Sequence, residues 1–97
     1  MARKSDLIRK NECKQRAEIF KALSDKTRLR IVELLSERKE MPGTEIADRT
    51  GISLALLCHH WNILEHVGLI TKRKDGQTTF VSLNRELLCD CFRSLVD

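Results

Sequence analysis

The sequence predicts a mainly α-helical domain carrying one β-hairpin, in the order helix, helix, helix, helix, strand, strand, helix. Three observations predict it. Apolar residues recur at spacings of three and four within residues 6–23, 26–37 and 53–66, as on helices that bury one face. After Gly68 the period changes to two β-prone runs, "LITKRK" and "QTTFVSLN", joined by Asp75-Gly76. The last stretch, "RELLCDCFRSLVD", returns to helical composition.

Taken in order, the first helix places Cys13, Ala17, Phe20 and Leu23 on one face. "SDKT" breaks that pattern, and Ser24 or Asp25 can cap the second helix, because a short polar side chain satisfies an N–H that has no helical partner. The second helix sets Leu29, Val32 and Leu35 on one side, with Ile31 and Leu34 alongside. "RKEMPG" reads as a turn, since the single proline sits beside a glycine. "GTEIADRT" makes a short third helix that stops at Gly51, a residue that tolerates positive φ. Ser53 can cap the fourth helix and Gly68 ends it. Asp75-Gly76 then serves as a tight hairpin turn whose central residues need positive φ.

Composition narrows the function classes. Residues 1–97 are one domain's worth of chain, a tight fit for a self-contained enzyme with a deep cleft. Hydrophobic residues at 41% beside 33% charged residues describe a globular protein whose core is built from Leu, Ile, Val and Ala. The 18 Lys and Arg exceed the 14 acids, a net charge of +4 that suits a polyanionic partner. The chain lacks an 18-residue apolar stretch, and "MARKSDLIRKNECK" lacks the apolar core of a signal peptide, so no membrane partner is expected and the location is cytoplasmic. In that reducing compartment the four cysteines do not form a disulfide framework. A thiol enzyme is excluded too, because no Cys-x-x-Cys and no supported Cys/His pair occurs.

Two short helices joined by "TGIS", the second followed directly by a basic hairpin, outline a winged helix-turn-helix. At about 100° per residue, the fourth helix separates into two surfaces. Leu57, Trp61 and Leu64 share a narrow arc flanked by His60 and Leu56, while Ala55, Cys58, His59, Asn62 and His66 lie opposite. That second face carries no acid until Glu65, as a helix entering a DNA groove requires, because carboxylates would repel phosphates. His59 and His60 point about 100° apart, so they do not share a metal ion within the helix. His60 leans to the core; His59 points out. The expected DNA-binding residues are therefore Ser53, Ala55, Cys58, His59 and Asn62 on the helix, with Lys72, Arg73, Lys74 and Gln77 on the wing.

Three segments, "IFKALSDKTRLRIVELL", "TEIADRTGIS" and "HHWNILEHVGLITKRKDGQTTFVSLN", resemble the ArsR/SmtB family of bacterial winged-helix repressors over roughly residues 18–84. The resemblance implies a homodimer joined by the first and last helices, with two recognition helices reading a palindromic double-stranded DNA operator. It also implies repression that an inducer relieves. The last helix agrees: Leu88, Cys91 and Leu95 mark one apolar face and Cys89, Phe92 and Val96 another, one for its own core and one for a partner.

Two departures from the family matter. The recognition helix reads "SLALLCHH" where the family places polar residues, so direct base reading is reduced and DNA shape gains weight. The family's Cys-x-Cys metal motif at the third helix is replaced by "EMPGTEIA", and the last helix has no His for the second family metal site. What remains for sensing is Cys13, Cys89 and Cys91, which suit As(III), another thiophilic metal or a sulfur oxidant; the alternative is that they are small buried hydrophobes. Cys89 and Cys91 diverge by about 200° within an intact helix, so one ion takes both only if the helix frays or the second subunit contributes. No cofactor is required. A regulator without an inducer, or a winged-helix protein-interaction module, are the alternatives to an inducible repressor.

Overall fold

A computed structural model describes residues 4–96, with side chains described over 13–96. The end positions 1–3 and 97 of the expected domain lie outside the described residues. Five helices and three strands follow in the order α1 (Lys4–Leu23), α2 (Lys26–Leu35), β1 (Met41–Pro42), α3 (Gly43–Thr50), α4 (Leu54–His66), β2 (Ile70–Asp75), β3 (Thr78–Leu83) and α5 (Arg85–Val96). The helix order is the one expected of a winged helix-turn-helix. None of the described helices is long and apolar enough to cross a membrane.

The stretch read as the turn "RKEMPG" instead contributes the edge strand β1. The strands order β1-β3-β2, all antiparallel, with Met41 opposite Val81 and Pro42 opposite Phe80. Met41 and Val81 are both fully buried, so β1 joins the sheet to the helical core. Proline is tolerated there because an edge strand leaves one row of N–H groups unpaired. The hairpin turn falls one residue later than Asp75-Gly76: Asp75 pairs with Thr78, leaving Gly76 and Gln77 as the loop. Only Gly76 has positive φ, at 62°, as in turns that place glycine first of two loop residues.

Two expected helix faces rotate. In α1 the buried residues are Ile19 and Ala22, whereas Cys13 and Ala17 are exposed and Phe20 is half-buried. The Cys13-Ala17-Phe20 stripe lies about 100–160° round the helix from Ile19, and of these three only Phe20 packs against the core in the single chain. In α2, Ile31, Val32, Leu34 and Leu35 are buried, but Leu29 is 45% exposed. Leu29 sits about 160° from Ile31, on the far side of the helix.

Helix ends are satisfied as the sequence suggests. Asp25 caps α2, its Oδ2 accepting the Arg28 N–H at 3.0 Å. Gly51, at φ 73°, closes α3 by donating its N–H to the Ala47 carbonyl at 2.9 Å, and its left-handed backbone turns the chain into α4. The C-terminus of α2 is closed from a distance: the Arg85 guanidinium donates to the carbonyls of Ser36, Leu35 and Arg38 at 3.1, 3.3 and 2.9 Å. That contact fastens the start of α5 to α2.

On α5, Cys91 is buried at 3% exposure, and Leu88 packs against the core. Leu95, expected on the same face, is 63% exposed because the helix runs beyond the core. Phe92 and Val96 are also exposed, and Phe92 meets Phe20 edge-to-face at 5.6 Å.

Candidate nucleic-acid interface

Helix α4 is anchored by Leu57 and Leu64, seven residues apart and both fully buried. Ser53 starts it, its Oγ accepting the Leu56 N–H at 3.1 Å, and its first turn has no acid. Trp61 is half-buried against the start of α3. The contact is close enough that a Cβ at Gly43 would lie 2.8 Å from Trp61 Cζ3, so a glycine lets the two helices meet.

His60 is the buried polar group of this helix. Arg28 donates from Nη1 to His60 Nδ1 at 3.3 Å and from Nε to the Ala22 carbonyl at 2.7 Å. Burial holds the His60 imidazole below its ordinary pKa; the Asp25 carboxylate at 3.9 Å opposes this, while Arg28 and His59 add to it. The ring is therefore a neutral acceptor that joins α4 to the start of α2, as its inward lean suggests.

Opposite this anchored side, Ala55, His59, Asn62 and His66 are exposed, as is Ser53. Cys58 differs from expectation. It is half-buried on the flank facing the hairpin, beside a groove of about 270 Å³ that Gln77, Trp61 and Leu54 also line.

The four expected wing residues, Lys72, Arg73, Lys74 and Gln77, are exposed, but two of them are engaged. Lys72 Nζ lies 3.1 Å from Glu65 Oε1 and 3.4 Å from Asn62 Oδ1, and 5.2 Å from the centre of the Trp61 ring. Arg73 pairs with Glu40 at 2.7 Å and stacks 4.6 Å from the centre of the Phe80 ring. Any phosphate contact by Arg73 has to displace Glu40. Lys74 makes no ion pair among the described residues. Sequence reasoning missed both partners, because Glu65 lies on α4 and Glu40 just before β1, and no local spacing marks either.

The cysteines are not brought together. All four are free thiols; Cys13 and Cys89 are exposed and Cys91 is buried. Burial pushes the Cys91 thiol up, away from the reactive thiolate. Among the described residues, no group of three or more His, Cys, Asp or Glu side chains is placed to hold a metal ion. A single chain therefore does not fit a thiophilic ion at Cys13, Cys89 and Cys91.

Known proteins are consistent with this geometry. The family model for a helix-turn-helix domain matches residues 23–73. The chain is 36% identical over 83 residues to a cadmium resistance transcriptional regulatory protein CadC homolog of Staphylococcus aureus, covering 86% of this chain and 68% of that one. It is 39% identical over 72 residues to the transcriptional repressor SdpR of Bacillus subtilis, covering 74% of this chain and 79% of that one. Its fold is similar to a homodimeric winged helix-turn-helix DNA-binding domain from Mycobacterium bovis, solved by NMR, with a TM-score of 0.78 and 27% identity over 99% of this chain and 88% of that one.

Proposed function

The chain belongs to the ArsR/SmtB family of winged-helix transcriptional regulators, DNA-binding proteins that are not enzymes, and we propose that it is a dimeric repressor reading a palindromic duplex operator. One observation carries this reading: α4 buries Leu57, His60 and Leu64 while exposing Ala55, His59 and Asn62 on an outer face whose one acid, Glu65 near the helix end, is paired with Lys72. The Ser53 hydroxyl, the His59 ring and the Asn62 amide are the hydrogen-bonding groups toward base edges, and the Ala55 methyl suits a thymine methyl. Lys74 and Gln77 extend from the wing toward phosphate. Lys72 and Arg73 serve first to hold the wing against α4 and the β1 approach. Cys58 acts from the flank, where oxidation would disturb the seat of the wing on α4.

The dimer surface is assigned to α1 and α5, where Phe20, Phe92, Leu95 and Val96 leave apolar area uncovered in the single chain. The likeness to SdpR, a transcriptional repressor of Bacillus subtilis, supports repression. A thiol-seeking inducer such as As(III) would be held between subunits, through the exposed Cys13 and Cys89 with Cys91 behind them. A second reading, a protein-interaction module, is favoured by Leu54 and Leu56, which are 51% and 44% exposed at the head of α4.

A titration of the whole chain with labelled duplexes from its own upstream DNA separates these readings. The repressor reading expects sequence-preferring binding, two chains per site, that weakens as salt rises. It further expects release by at least one of As(III), Cd(II), Zn(II), peroxide or polysulfide. Binding that no such agent reverses leaves a regulator without an inducer; no salt-dependent binding leaves the interaction module.

A further inference from the structure

The flank of α4 turned away from the wing borders a second groove, of about 560 Å³, walled by α1 and the start of α2. Lys21, Arg28, His59, Asn62, His66 and Glu18 line it, above an apolar floor. His59 and Asn62 thus belong both to the outer face of α4 and to this groove, so an occupant of the groove would lie against whatever α4 reads.

The distribution of charge marks the groove further. On the wing side, Lys72 is neutralised by Glu65 and Arg73 by Glu40, leaving Lys74. On the groove side, neither Lys21 nor Arg28 forms an ion pair among the described residues. Arg28 is nevertheless fixed, by the Ala22 carbonyl and His60. Lys21 is an exposed ammonium on the last turn of α1 and is free to reach out.

Geometry supplies the rest. The major groove is about 12 Å wide, and a helix with its side chains is about 10–12 Å across, so an inserted helix has a phosphate strand on each flank. The wing accounts for one strand only. We propose that the groove between α1 and α4 receives the other sugar-phosphate strand, with Lys21 as its charge contact. This rests on the DNA-reading role of α4 and adds a contact from α1 to those of α4 and the wing. Glu18 is the carboxylate of the lining, and it opposes the bound phosphates.

The test compares duplex binding by wild-type protein, Lys21→Gln, Glu18→Gln and Lys74→Gln as salt is varied. Each phosphate contact contributes about 0.9 to the slope of log affinity against log salt. Lys21→Gln is expected to lower that slope by about 0.9 for each subunit engaged, on every duplex sequence alike. Glu18→Gln is expected to tighten binding at low salt and to converge on wild type at high salt. Wild-type slope and affinity in both groove variants, with loss only in Lys74→Gln, would overturn the proposal. Wild-type protein that binds no duplex at any salt would overturn the DNA-reading role itself, an outcome distinct from the first.

Discussion

Arg73 Nη2 donates to Glu40 Oε1 at 2.7 Å, and Arg73 Nε lies 3.4 Å from Glu40 Oε2, so the first strand of the wing is fastened to the residue preceding β1. The Arg73 guanidinium holds the Glu40 carboxyl below the usual carboxylate range. A carboxyl with a lowered folded value adds stability above its unfolded pKa and loses it as pH falls through the folded one. Replacing Glu40 by Gln releases the guanidinium. The expected outcome is tighter, less selective duplex binding with a steeper salt dependence. Binding indistinguishable from wild type would assign Arg73 to wing support alone.

His59 is exposed, its ring 5.4 Å from that of His60 between centres. His59→Ala is therefore expected to leave thermal stability near wild type, within about 0.5 kcal/mol. Competition between operator and scrambled duplex should show blurred preference with retained non-specific affinity. Unchanged preference would remove His59 from base reading.

His60 makes the fold sensitive to mild acid. Its folded pKa is lowered, chiefly by burial, so the unfolded chain binds more protons through the window below the ordinary histidine value of about 6.5. Its contribution to stability is complete above that value and is lost as pH falls through the lowered one. Arg28, Asp25 and His59 are the charged or titratable groups around it, and Asp25, also lowered, acts in the same direction only in the carboxylate range. Urea denaturation at pH 7.5 and pH 5.5 is the check. Wild type should lose stability on acidification, and His60→Gln should lose less.

Gly43→Ala places a methyl 2.8 Å from Trp61 Cζ3. The two helices or the indole must shift, which costs about 1–3 kcal/mol in a packed interior. Tryptophan fluorescence during denaturation reads the site directly.

The polarity of α4 was legible because Leu57 and Leu64 repeat at seven and Ser53 and Gly51 punctuate its approach. Periodicity picked the Cys13-Ala17-Phe20-Leu23 stripe of α1, whereas tertiary packing buries Ile19 and Ala22 and leaves Cys13 and Ala17 exposed in the single chain. Strand β1 is two residues long, too short to show a period. The Arg73–Glu40 and Arg85–α2 contacts join residues more than thirty positions apart, and no local rule encodes them.

Phe92 and Phe20 lie at the exposed apolar surface of α5 and α1, 5.6 Å apart. Phe92→Asp is expected to convert a dimer to a monomer in sedimentation and to weaken operator binding, since one subunit then reads only a half-site. A variant that sediments as a dimer would move the interface elsewhere.

The most direct measurement is an NMR titration of the isotope-labelled chain with a cognate duplex. If a nucleotide groove receives the outer side of α4, the amide and side-chain signals of Ala55, His59, Asn62 and Lys74 shift together at low salt, while those of Leu57 and Leu64 move least. Shifts confined to α5, or none at all, would contradict the account.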